Sequence, residues 1–172
     1  SPLQVVLNHE TGEPRLCVDL RDANKSVKRI LFPIPTLEDV SDKIVEQNAV
    51  YFSKIDLKKG YHQIELDESS RDITTFRYSG GIYRFKRLVF GLSSAFELFQ
   101  QQISKLFINE TGIVNISDDI LVFGRSIAEH NMNLKRCFKI LQDNGLTINK
   151  PKCNFLETEL EYYGFNISAK GI

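Results

Sequence analysis

The chain has 172 residues, 42% of them hydrophobic, and 22 Lys plus Arg balance 22 Asp plus Glu for a net charge of zero. That length and composition suit one ordinary core and exclude collagen-like, disordered and disulfide-scaffold classes, and no run approaches the roughly 18 apolar residues of a membrane span. Zero charge does not by itself favour a nucleic-acid partner, although balance over a whole chain can hide a basic face beside an acidic site.

Cys17, Cys137 and Cys153 are odd in number, far apart and without CxxC pairing. They read as reduced thiols of an intracellular protein rather than as a zinc site, with Cys153 a small buried hydrophobe. The ends, Ser1-Pro2-Leu3 and Gly171-Ile172, carry no signal-peptide pattern and suggest a piece of something longer.

In chain order, residues 3–7 and 15–20 flank Thr11-Gly12-Glu13-Pro14 as a hairpin. After Pro33 and Pro35, Thr36 is placed to cap a helix to about Gln47, with Leu37, Val40, Ile44 and Val45 on its apolar stripe. Val50 to Asp56 alternates as a strand ending on an acid. Ile73 to Tyr78 and Ile82 to Phe85 flank Ser79-Gly80-Gly81 as a second hairpin. Ser93 to about Asn109 predicts a helix with Phe99, Ile103, Leu106 and Phe107 on one face. Ile113 to Ile116 and Ile120 to Phe123 are short apolar strands around a tight turn, Ser117-Asp118-Asp119. Ser126-Ile127-Ala128-Glu129 is a capping box for a helix ending near Asn144-Gly145, and Leu160 to Ile167 suggests a last strand or hairpin. The sum is α+β, with helices covering one face of an antiparallel sheet.

An Asp-Asp pair is by default a polar turn, since Asp is a favoured turn residue. Here the flanks are strongly apolar on both sides, which places two negative charges at one end of a largely buried sheet. Such charges raise each other's pKa unless a cation neutralises them. Asp56 also ends a strand. If that strand neighbours the 113–123 hairpin, three carboxylates converge. Hard oxygen ligands of this kind suit Mg²⁺, and two ions about 4 Å apart can activate a 3′ hydroxyl and stabilise leaving pyrophosphate.

Tyr51-Phe52-Ser53-Lys54-Ile55-Asp56-Leu57-Lys58-Lys59-Gly60-Tyr61-His62-Gln63 and Ser117-Asp118-Asp119-Ile120-Leu121-Val122-Phe123-Gly124 resemble motifs A and C of reverse transcriptases, gypsy-type LTR retrotransposon polymerases above all. Phe90-Gly91-Leu92-Ser93-Ser94-Ala95-Phe96-Glu97-Leu98-Phe99-Gln100 resembles motif B, and residues 15–24 resemble a fingers segment. Gly145-Leu146-Thr147-Ile148-Asn149-Lys150 and Glu161-Tyr162-Tyr163-Gly164-Phe165 resemble motif D and the primer grip. The motifs cover nearly the whole chain in the family's order.

The resemblance implies a right-hand polymerase: fingers at about 1–50 and 65–90, palm at about 51–64 and 91–172, with thumb, connection and RNase H outside the 172 residues. It implies an RNA- and DNA-directed DNA polymerase that uses two Mg²⁺ ions, with Mn²⁺ as a substitute. Asp56, Asp118 and Asp119 would be catalytic metal ligands, joined by the Leu57 carbonyl. Arg15, Lys59, Gly60, Tyr61, Phe90 and Gly91 would bind dNTP, with Tyr61 as a steric gate against the ribose 2′ hydroxyl. Arg21, Tyr163 and Gly164 would meet template or primer, and Lys152 would be a general acid for pyrophosphate. The implied partners are primer–template, dNTPs and the rest of a retroelement polyprotein (protease, RNase H, integrase), with no membrane. The implied location is a cytoplasmic particle.

Three positions depart from the pattern. Ile116 stands where the family usually has Tyr, Phe96 where many members have Pro, and Asn8, His9 and Glu10 in a region often rich in Lys. They keep a second reading in play, a decayed remnant that retains the fold. A third, an RNA-dependent RNA polymerase, is opposed by Tyr61, since RNA synthesis must admit the 2′ hydroxyl.

Overall fold

The computed structural model describes residues 1–7, 12 and 14–171, except for the side chains of Gln4, Pro14, Arg15 and Leu16. Asn8, His9 and Glu10 therefore lie outside the described residues, as do Thr11 and Glu13 of the first expected turn. The chain divides into two compact units, Ser1–Leu31 with Tyr61–Phe99, and Phe32–Gly60 with Gln100–Ile172.

In the first unit β1 (Leu3–Leu7) and β2 (Pro14–Val18) pair antiparallel, with Leu3 opposite Val18. A short helix, α1 (Arg21–Asn24), follows. The second hairpin is shorter than its apolar pattern suggests: β4 (Phe76–Tyr78) and β5 (Gly81–Tyr83) pair, whereas Ile73 belongs to a 3₁₀ segment, Glu68–Thr74. Ser79 and Gly80 both have positive φ, 46° and 79°, which the mirror-image hairpin turn requires. Val18, Leu20 and Val89 form the buried core, packed by Leu3, Ala23, Phe76, Phe85 and Leu92.

The second unit is built on a four-stranded antiparallel sheet in the order β6 (Ile113–Ile116), β7 (Asp119–Gly124), β3 (Tyr51–Asp56), β8 (Asn154–Glu157). Its apolar strands leave successive side chains on opposite faces. On one face α4 (Ile127–Asp143) lies against β7 and β3, with buried His130 meeting Ser53. On the other, Phe52, Leu121 and Phe123 join Val40 and Ile44 of α2 (Leu37–Glu46) and Leu160, Tyr162 and Ile167 of a terminal hairpin. That hairpin, β9 (Glu159–Tyr162) with β10 (Phe165–Ser168), turns through Tyr163 and Gly164, both at positive φ.

Helix ends follow their residues. Thr36 caps α2 by a reciprocal pair: its hydroxyl accepts from Asp39 N–H at 3.1 Å, and the Asp39 carboxylate accepts from Thr36 N–H at 2.7 Å. Val45, placed on the α2 stripe by its spacing, is 54% exposed instead, because Leu37, Val40 and Ile44 make the face of α2 that packs on the cluster. Ser126 caps α4, but the Glu129 carboxylate reaches Arg125 N–H rather than the cap's own. Helix α3 (Ala95–Phe107) buries Phe99, Ile103 and Phe107 and leaves Leu106 half-buried. Among the described residues no helix is long and apolar enough to cross a membrane.

Candidate active site

Strand β3 carries Phe52, Lys54 and Asp56 on one face, and the register sets Lys54 opposite Leu121 and Asp56 opposite Asp119. Directly paired residues of an antiparallel sheet share a face, so two of the three expected carboxylates are cross-strand neighbours. The structure places Asp119 as the first residue of β7 rather than within the turn, and leaves Ser117 and Asp118 as a two-residue loop. The Asp118 carbonyl accepts from the N–H of buried Leu57 at 3.0 Å, which ties the third acid to the end of β3.

Asp119 is partly buried, and its carboxyl is pushed above the usual range first by that burial and then by the charges of Asp118 and Asp56. Lys54 and Lys152 oppose the shift. Three acids thus share one electrostatic site, and two cations face it. As they stand, among the described residues no three acidic, His or Cys side chains close on a point tightly enough to hold an ion. Backbone register brings the trio together; mutual repulsion favours side chains turned apart. As a donor set they fit a hard divalent cation, which accepts carboxylate oxygens and offsets the charge that raises Asp119.

The loop is fixed by side chains that local sequence patterns did not reveal. Ser117 N–H donates to the Gln100 Oε1 at 2.5 Å, and the Gln100 Nε2 donates to the Asn115 carbonyl at 3.0 Å. Ser104 Oγ donates to Asn115 Oδ1 at 3.1 Å. Tyr162 and Tyr163 bond to Ile116 and Asp119 from the terminal hairpin. A buried Gln and Tyr facing strand backbone are recognisable only once the pairing is known. Ile116 itself is 6% exposed and packs in the core.

Other expected residues sit as follows. Lys59 is exposed with φ of 52°, beside buried Gly60. Lys152 is exposed in the 3₁₀ segment Lys150–Lys152. Cys153 is half-buried rather than buried, because its Sγ turns to the backbone, accepting from Asp56 N–H at 3.4 Å. In the first unit, Tyr61 packs on Phe90 at 4.7 Å and Phe99 at 5.3 Å between ring centroids. Phe90 is 51% exposed. Gly91 has φ of 95°, where a side chain would be strained. Asn24 clamps that loop, donating to the Gly91 carbonyl at 2.7 Å and accepting from Ser93 N–H at 2.9 Å. Arg21 is committed to Asp19 through a forked contact, 2.9 Å at Nε and 2.6 Å at Nη2, which holds the Asp19 carboxyl down to about 2. The Arg15 side chain lies outside the described ones. Phe96 is half-buried in the first turn of α3.

A family model described as reverse transcriptase (RNA-dependent DNA polymerase) matches residues 6–167. The chain belongs to the reverse transcriptase family. It is 38% identical over 167 residues to the retrovirus-related Pol polyprotein from transposon 412 of Drosophila melanogaster, covering 96% of this chain and 13% of that polyprotein. It is 33% identical to the transposon Tf2-3 polyprotein of Schizosaccharomyces pombe, over 93% of the chain and 12% of the relative. Among solved structures, the foamy viral protease-reverse transcriptase in complex with double-stranded DNA matches with a TM-score of 0.85 and 29% identity, over 99% of this chain and 30% of that one. The retrotransposon resemblance of the motifs and the mixed, antiparallel fingers-and-palm fold agree with these matches. The chain spans only a fraction of each relative.

Proposed function

We propose that this reverse transcriptase chain is the nucleotidyl-transfer core of an RNA- and DNA-directed DNA polymerase, joining dNTPs to a primer 3′ hydroxyl. The observation that carries the reading is the Asp56–Asp119 cross-strand pair with Asp118 in the adjoining loop. Asp56, Asp118, Asp119 and the Leu57 carbonyl would hold two Mg²⁺ ions, or Mn²⁺ in their place, which when bound supply charge neutralisation and activation of the 3′ hydroxyl. The chain's own part is to present these oxygens from a rigid sheet end, so that little reorganisation accompanies reaction.

For the triphosphate, Lys59 and Gly60 would offer backbone N–H groups and Arg15 a planar cation. The Tyr61 ring, backed by Phe90 and Phe99, acts as a gate that a 2′ hydroxyl would strike. Phe90 and Gly91 form the nucleotide floor. Tyr163 and Gly164 hold primer, Arg21 lies near template, and Lys152 gives a proton to pyrophosphate. We propose fingers at about 1–50 and 65–90 and palm at about 51–64 and 91–172 as the division, although the compact units group residues 32–50 with the strands that hold the acids. We also propose protease, RNase H and integrase segments of a longer polyprotein as partners, and a cytoplasmic particle as the location; the relatives' description as polyproteins supports the first of these. Retention of all three acids, two as cross-strand partners and one in the adjoining loop, favours the enzyme over a decayed remnant.

The test is primer extension by the full polymerase that contains this chain, with dNTP against rNTP and parent against Asp118→Asn. Extension with dNTP that Asp118→Asn abolishes supports the reading. No extension in Mg²⁺ or Mn²⁺ sinks it, and rNTP used as readily as dNTP removes the role of Tyr61.

A further inference from the structure

The turn between β6 and β7, with Asp118 in it and Asp119 directly after it, is gripped from outside its own hairpin. Ile116 and Asp119 are register partners, yet between them stands the hydroxyl of Tyr162, which accepts from Ile116 N–H at 3.1 Å and donates to the Asp119 carbonyl at 3.1 Å. The neighbouring Tyr163 hydroxyl donates to the Ile116 carbonyl at 3.0 Å. Both peptide groups of Ile116 are therefore held by tyrosines of the β9–β10 hairpin, and one of those tyrosines also holds Asp119. Tyr162 is fully buried, and its ring lies 5.3 Å from that of the more exposed Tyr163 in an edge arrangement, so the Tyr162 hydroxyl has little freedom to drift.

From this geometry we infer that Tyr162 and Tyr163 are positioning residues for Asp118 and Asp119. Their hydroxyls serve as an inserted rung that sets the opening of the loop and the aim of its carboxylates. A pair of hydroxyls from another hairpin thus grips the backbone of Ile116, two residues before Asp118. Two consequences follow from hydrogen-bond accounting. Removing the Tyr162 hydroxyl takes the bridge from the buried Ile116 N–H and the partly buried Asp119 carbonyl, and a direct bond between these register partners would then narrow the loop. Removing the Tyr163 hydroxyl frees only one carbonyl, so its effect is smaller. The ring of Tyr162 keeps its place in the core in both cases, which separates aim from packing.

This inference rests on the acids being the reaction centre, and the experiment separates the two. In the full polymerase containing this chain, single-nucleotide incorporation is measured for Tyr162→Phe, Tyr163→Phe, Asp118→Asn and Ile167→Val. The last trims the same buried cluster without touching the loop. Expected for Tyr162→Phe is a fall in kcat of about ten- to a hundred-fold with KM for dNTP within about two-fold, the pattern of misplaced groups acting at the transition state. Tyr163→Phe falls less. Ile167→Val lowers the thermal midpoint and leaves kcat as in the parent. A second readout is the amide proton of Ile116, whose chemical shift moves on Tyr162→Phe and stays on Ile167→Val. If Tyr162→Phe keeps parental kcat, or changes KM alone, or loses no more than Ile167→Val does, the positioning role is overturned. If Asp118→Asn is also as active as the parent, the reading of the acids fails first.

Discussion

Two buried or half-buried ionisable groups, one on the sheet and one packed against it, are both pushed toward their neutral forms. Asp119 is pushed toward its neutral form by burial and by its acidic neighbours, as expected where a bound cation is to supply the missing charge. His130, fully buried on the opposite face, is held below its ordinary 6.5 by burial, with only Asn131 opposing. Its ring contacts are Ser53 Oγ at 2.8 Å and Asn131 Oδ1 at 3.2 Å. A neutral ring that donates from Nδ1 to Asn131 accepts from Ser53 at Nε2, whereas an imidazolium has no lone pair to accept with. A depressed folded value means that the unfolded chain binds the proton more readily. Stability is therefore present above about pH 6.5 and is lost as pH falls from there toward the folded value. Urea midpoints measured between pH 7.5 and 5 should fall for the parent and fall less for His130→Gln. Parallel slopes for the two proteins would refute the assignment.

At the scale of elements, the placing of α4 depends on Gly124, the last residue of β7. A Cβ built there would stand 2.6 Å from the His130 backbone nitrogen and 2.9 Å from its Cα, distances that only a backbone shift could relieve. Gly124→Ala should cost about 1–3 kcal/mol by overpacking the strand end against the first turns of α4, read as a lower urea midpoint with unchanged slope. A midpoint equal to the parent's would show that α4 can yield. The alternation of Val50 to Asp56, the Asp-Asp between apolar strands and the caps at Thr36 and Ser126 are local signals, and each marked its element. Register is not local. That Asp56 faces Asp119 depends on which strands pair, and the bond from Tyr162 to Ile116 crosses 46 residues. A bulge in the pairing of β8 with β3 sends Leu156 N–H to Ser53 Oγ at 3.0 Å, which gives a buried serine a purpose no periodicity could predict. Val45 and Cys153 were misplaced for the same reason, since a residue's type does not say which neighbour takes the space beside it.

For the molecule as a whole, each unit has its own buried cluster, and the acids and the side chains that hold their loop all belong to the unit of the four-stranded sheet. Chemistry and grip are therefore distinct demands. Affinity for primer–template is dominated by cations on the phosphate backbone, yet the 172 residues carry 22 basic against 22 acidic groups. Several cations are also spent internally: Arg21 on Asp19, Arg71 on Glu65 and Glu68, and Arg84 on Glu68 and Asp72. The 172-residue chain on its own should therefore bind primer–template weakly, with a shallow dependence on salt, and release it after few additions. Primer extension by this chain in the presence of excess unlabelled trap DNA should give products only a few nucleotides longer than the primer. Lowering the salt should lengthen them only slightly, because few phosphate contacts are available to strengthen. Long products in the presence of trap would show that the two units supply a grip that their charge balance does not.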